Sequence, residues 1–135
     1  MTGLIQHKVG NEIKVLAPTL GKLFKDNLGA MNDILKERAC DKVTHFDCLM
    51  RLEVAAGNTN DLLVNFLSGI LELSFEQKAL FCNVYFSELT EKKVVVQLFG
   101  IWRGPLNGSI KISCDNAYVK KNGDNIWESQ ILFDF

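Results

Sequence analysis

Thr44-His45-Phe46-Asp47-Cys48-Leu49-Met50-Arg51-Leu52-Glu53-Val54-Ala55 sets Phe46, Cys48, Met50, Leu52 and Val54 in alternation with His45, Asp47, Leu49, Arg51 and Glu53. Successive side chains of a strand point to opposite faces, so this spacing predicts a strand over Thr44 to Ala55 with one buried face. Gly57 and Asn58 then make a turn, Thr59 is placed to cap a helix, and Asp61 sits against the positive end of that helix's dipole. Leu62, Leu63, Phe66, Leu67, Ile70, Leu71 and Leu73 follow at helical spacing and give a helix over Thr59 to Ser74 with a wide apolar stripe. A half-buried strand leading into a one-sided helix requires both to bury against a common core.

The same unit stands upstream. Ile13 and Val15 alternate with Glu12 and Lys14, which predicts a strand over Glu12 to Leu16, extended by Leu4 to Gln6. Pro18 ends that strand and the Thr19 hydroxyl caps the next helix. Leu20, Leu23, Phe24, Leu28, Met31, Ile34 and Leu35 line one side of a helix over Thr19 to Lys36, opposite Lys22, Lys25, Asp26 and Lys36. After Ser74 the pattern becomes extended over Leu80 to Phe86, Lys93 to Trp102, Ser109 to Cys114 and Ile126 to Phe135, with a hairpin turn at Asn122-Gly123-Asp124-Asn125. Strand, helix, strand, helix and then a meander of strands reads as α+β: a two-layer sandwich in which two helices pack on one face of a mainly antiparallel sheet.

One core suffices for 135 residues, and no repeat or Pro/Gly/Ser-rich linker divides them. With 47% hydrophobic and 23% charged residues the chain is that of an ordinary globular domain, not a disordered one. Fifteen basic residues against sixteen acidic ones give a formal charge of -1, so no whole-domain attraction to nucleic acid or anionic membrane is expected. The opening residues lack the basic start and apolar run of a signal peptide, and no apolar stretch reaches membrane-spanning length; the expected location is the cytoplasm.

Catalytic patterns are missing: there is no G-x-S-x-G elbow, no G-x-x-x-x-G-K-[ST] phosphate loop, no H-E-x-x-H and no deaminase zinc pattern. Cys40, Cys48, Cys82 and Cys114 are scattered without a C-x-x-C pair, and buried or idle thiols are expected of them. His7 and His45 are the only histidines; for His45 an exposed or hydrogen-bonded structural role is expected. The pairs Lys92-Lys93 and Lys120-Lys121 read as solvated turn residues rather than a phosphate groove.

The opening Leu4-Ile5-Gln6-His7 with Ile13-Lys14-Val15 resembles an F-L-E-H-T-A-D-I-x-I start, and Thr19-Leu20-Gly21-Lys22-Leu23-Phe24 resembles T-L-E-E-A-F. Asn60 through Leu71 is similar to D-L-E-x-L-L-x-x-W-L-x-E-L-L, and Trp127 with Ile131-Leu132-Phe133-Asp134-Phe135 to a Trp followed by a final V-V-L-D-I. Together, over nearly the whole length, these resemble the archease family, which assists the tRNA-splicing RNA ligase that joins ends bearing a 3'-phosphate or cyclic phosphate.

The resemblance implies an accessory protein that activates such a ligase, promoting its guanylylation and turnover, with no catalytic residue of its own. It also implies a divalent cation, usually calcium, held at Asp134 with help from the backbone oxygen of Phe135. The family's other ligand Asp falls on Gly10 here, so only weak metal binding is implied; Asn11 or Glu12 would replace it only through a shift of register, which reverses faces. A family Lys falls near Lys111. The implied partner is the RNA ligase, with no membrane and no direct sequence-specific nucleic-acid contact. A binding module of other specificity that has lost the metal site is the alternative. A small enzyme using His7 with Glu12 or Asp134 as acid and base is a third, weaker reading.

Overall fold

The computed structural model describes residues 5–9, 12–104, 106, 108 and 110–134, with backbone alone for 5–9 and 114–116. The elements run β1 (Ile5–Val9), β2 (Glu12–Ala17), α1 (Leu20–Leu35), β3 (Cys48–Ala55), α2 (Thr59–Gln77), β4 (Ala79–Leu89), β5 (Lys93–Trp102), β6 (Lys111–Lys121) and β7 (Trp127–Asp134). The α+β sandwich expected from the sequence is present. Its strand layer is divided into two antiparallel sheets, of order β1-β2-β7-β6 and β3-β5-β4. The helices bridge the division: α1 packs on β2, β7 and β4, while α2 packs on β6, β3, β4 and β5.

Local chemistry sets the ends of these elements. The Thr19 hydroxyl accepts from the Lys22 N–H at 3.1 Å and starts α1. At α2 the cap is Asn58, not Thr59: its Oδ1 accepts from the Asp61 N–H at 2.8 Å. The helix runs past Ser74 to Gln77 and stops at Lys78, which is left-handed with φ 53°. β3 begins at Cys48 rather than Thr44, because the Asp47 carboxylate accepts the Trp102 N–H at 2.8 Å and closes the ladder from outside. Phe46, expected on the buried face, is therefore 42% exposed. β6 extends to Lys121, well beyond the expected Cys114, across a register shift between Ser113 and Tyr118.

The core lies between helices and strands. Ile13, Val15, Ala17, Ile131 and Phe133 of the four-stranded sheet, and Val84, Val94, Val96 and Leu98 of the three-stranded one, meet Leu23, Phe24, Leu28 and Met31 of α1 and Leu62, Phe66, Leu67 and Ile70 of α2. Burying one such side chain is worth about 1.5–3 kcal/mol, so this face carries most of the stability. Rings of Phe24 and Phe66 sit 5.0 Å apart and both approach Phe86. Gly100 is required inside β5: a Cβ there would lie 2.8 Å from both Cys48 Sγ and the Phe81 ring.

A further expectation fails at the cysteines. Cys40 and Cys82, read from the sequence as idle thiols, are joined in a disulfide with Cα atoms 5.5 Å apart. They stand 42 positions apart, and no spacing rule links them. The pairing follows from a β-bulge: Phe81 opposes Gly100 and Asn83 opposes Phe99, leaving Cys82 as the extra residue of β4. A bulge re-aims the extra side chain, here toward the segment that follows α1.

Candidate functional site

Alternation in β2 and β7 turns Ile13, Val15, Ile131 and Phe133 inward, so Glu12, Lys14, Gln130, Leu132 and Asp134 share the outer face of the four-stranded sheet. Asp134 ends β7 exposed, with Lys111 directly opposite on β6. Glu12 lies opposite Leu132, and His7 opposite Lys14. The sequence-derived set is thus partly gathered: Asp134 and Lys111 meet in register, with Glu12 nearby on the same face. Gly10 and Phe135, the other two positions of the implied cation site, lie outside the described residues.

Of the implied calcium site the described residues supply one carboxylate, that of Asp134. Calcium takes six to eight oxygen ligands. Among the described residues no three His, Cys, Asp or Glu side chains gather in metal-binding geometry. Directly opposite Asp134 stands a cationic residue.

A second group on this face is better connected. The Tyr118 hydroxyl donates to Glu128 Oε2, and Lys120 Nζ lies 3.9 Å from the same oxygen and 5.0 Å from the Tyr118 ring centroid. Burial, the hydrogen bond to Glu128 and the charges of Glu128 and Glu12 push the Tyr118 phenol up to about 12. The phenol thus stays protonated and serves as a donor. Lys121 Nζ lies 5.2 Å over the Trp127 ring. Both members of this lysine pair therefore rest on aromatic faces at the end of β6.

The outer face of the three-stranded sheet differs. Leu49 opposes Phe99, Asn83 also opposes Phe99, and Tyr85 opposes Gln97, so these side chains share a face. Leu49 is 57% and Tyr85 62% exposed, and the exposed Phe46 ring sits 5.6 Å from that of Phe99. Beside them the charges pair with one another: Arg51 Nη2 is 2.9 Å from Glu53, and Lys93 Nζ is 3.7 Å from Glu53 and 3.8 Å from Glu88. The Arg51 hydrogen bond and the Lys93 charge hold the Glu53 carboxyl below its ordinary range. The result is an apolar, aromatic area with a neutral border. His45 is exposed, its Nε2 3.3 Å from Asp47, in agreement with the structural role read from the sequence.

This apolar face was missed in the sequence, although one signal for it was there. In the alternation of β3, Leu49 falls among His45, Asp47, Arg51 and Glu53, an apolar residue in the polar register.

The fold is shared with a solved structure. Over the whole of both chains it matches the solution structure of Methanobacterium thermoautotrophicum protein 1598, with a TM-score of 0.69 and 14% identity. No protein-family model matches the chain. No curated protein matches it either. The likeness is one of fold. No helix among the described residues is long and apolar enough to cross a membrane.

Proposed function

We propose that this chain is an archease-like accessory protein, one that binds an RNA ligase of the tRNA-splicing type and promotes its guanylylation and turnover without performing chemistry itself. The observation that carries the binding part of this reading is the exposed group Phe46, Leu49 and Tyr85 around Phe99. Large apolar side chains gathered on one open face are characteristic of a protein-docking surface, and aromatic anchors supply most of the energy of such contacts. The ligase as partner rests on the sequence resemblance. Cytoplasmic location belongs to the same proposal.

The test is multiple turnover of the host's ligase with and without the protein. Acceleration is expected with the wild type and its loss with Leu49→Asp, a substitution at an exposed position that leaves the core untouched. Unchanged guanylylation and turnover across several divalent ions would sink the accessory role. A binding module of other specificity is the second reading, and it is favoured by Lys111, a cation, standing opposite the one described residue of the implied metal site.

A further inference from the structure

Between the end of α1 and the start of β3 the chain crosses residues 36–47 with little to hold it. Lys36, Glu37, Arg38, Asp41, Lys42, Thr44, His45 and Phe46 are exposed, and only Ala39, Cys40 and Val43 touch the core from this stretch. Its hydrogen bonds are internal: the Ala39 N–H donates to the Lys36 carbonyl, the Asp41 N–H to the Arg38 carbonyl, and Arg38 Nε lies 3.0 Å from Asp41. Arg38 and Lys42 have φ of 58° and 60°, a left-handed backbone that non-glycine residues keep only when tertiary constraints impose it. Between the capping bond of Lys36 and the anchor of Asp47 on Gly100, the described ties to the body of the protein are the Cys40–Cys82 bond, a 3.8 Å contact from Asn32 Nδ2 to Cys40 Sγ, the packing of Ala39 and Val43, and the Phe46 ring 5.6 Å from that of Phe99.

The place of this bond suits reversible cleavage. Both cysteines are half-buried rather than enclosed, and Cys82 sits at a bulge of an edge strand. The β4–β5 ladder continues on both sides of that bulge, so the strand is held without the sulfur bridge. Most of the core, including Phe24, Phe66 and Phe133, comes from other elements, and the core residues of β4 itself, Leu80, Phe81 and Val84, are held by their pairing with β5. Beside the bridge is a half-open pocket of about 100 Å³, lined by Cys40 and Cys82 together with Leu28, Gly29, Asn32 and Val84. Asn32 closes its floor by donating to the Phe81 carbonyl at 3.1 Å.

We propose that Cys40–Cys82 is a redox-operated latch, which a dithiol reductant opens to free residues 37–46 and widen the half-open α1–β4 pocket while both sheets stay folded. A thiolate of the reductant attacks one sulfur, the Cys40–Cys82 bond breaks, and a mixed disulfide forms. The reductant's second thiolate then displaces the protein sulfur and leaves as a cyclic or paired disulfide. Two electrons and two protons pass to the protein, giving two thiols, and the reductant is oxidised by the same two electrons. Removing the link also returns conformational freedom to the unfolded chain, in which it closes a 42-position loop, so the reduced protein is less stable overall while its sheets remain folded.

Hydrogen exchange read by mass spectrometry on the full chain decides this, comparing the oxidised protein, the protein reduced under native conditions by dithiothreitol, and the double variant Cys40→Ser, Cys82→Ser. Peptides carrying Cys40 and Cys82 should gain alkylation only after reduction. Amides of residues 37–46 should exchange at least tenfold faster in the reduced protein and in the double variant, those of β2–β7 and β3–β5 should not change, and reoxidation should restore protection. Three results overturn the latch: alkylation of both cysteines without reductant, a bridge that resists native reduction, or unchanged exchange in 37–46 once it is open. Loss of protection throughout both sheets would overturn it too, by making the bridge a staple of the whole fold.

Discussion

Asn27 Nδ2 donates to Ser129 Oγ across 2.9 Å, and both residues are fully buried although 102 positions separate them. The same nitrogen donates to the Leu23 carbonyl, so the amide is held in one orientation and pins α1 onto β7. Ser129→Ala removes one acceptor and leaves the other. It is expected to cost about 1 kcal/mol in denaturant unfolding with an unchanged m-value. A neutral result would mean that the bond adds nothing over water.

Phe66 is completely buried and its ring meets Phe24 and Phe86. Phe66→Ala should lose roughly 3–5 kcal/mol, from lost transfer energy and the cavity left behind. An unaltered melting temperature would contradict its place in the core.

Such core residues were legible because their spacing is dictated by geometry that any helix or strand shares. The stripes of α1 and α2 and the alternation of β3 placed Phe24, Phe66, Met50 and Leu52 correctly from the sequence alone. What escaped depends on contacts far apart in the chain. The Asp47 carboxylate reaches the Trp102 N–H and shortens β3, and the bulge at Cys82 makes a disulfide that residue spacing does not announce. Of the implied cation site, the outward register of Asp134 and its meeting with Lys111 follow from strand pairing. Strand pairing cannot be read from local periodicity.

Tyr118 predicts a pH dependence. Its phenol is pushed up to about 12 by burial and by Glu128, whereas an unfolded tyrosine titrates near 10. The folded state therefore binds this proton more tightly, and the stabilisation is complete below about pH 10 and is lost as pH rises from there through about 12. Subtracting the ultraviolet phenolate titration of Tyr118→Phe from that of the wild type isolates this group. The difference curve should have its midpoint near 12, and in a Glu128→Gln background it should move toward 10. A midpoint near 10 in the wild type would refute the Tyr118–Glu128 bond.

Calcium should bind weakly. Asp134 faces Lys111, and Gly10 brings no carboxylate. Calorimetric titration is expected to give small heats that Asp134→Ala barely alters, and Gly10→Asp should raise the affinity. Tight wild-type binding abolished by Asp134→Ala would reverse this expectation, whereas no gain from Gly10→Asp would show that the resemblance misplaces the N-terminal register.

The partnership of β2 with β7 constrains how the protein can be made. Glu12 lies opposite Leu132, so a ribosome must deliver nearly all the described chain before β2 can gain its second neighbour. Meanwhile β3, α2, β4 and β5 are consecutive and close short loops onto one another, which topology favours as the earlier event. During vectorial synthesis Ile13 and Val15 would wait without Ile131 and Phe133, a span in which the N-terminal hairpin is open to chaperones or to mispairing. In refolding followed by pulsed hydrogen exchange, protection of the β3–β5–β4 sheet should precede that of β2 and β7. Simultaneous protection of both sheets would mean that the long pairing belongs to the folding nucleus itself.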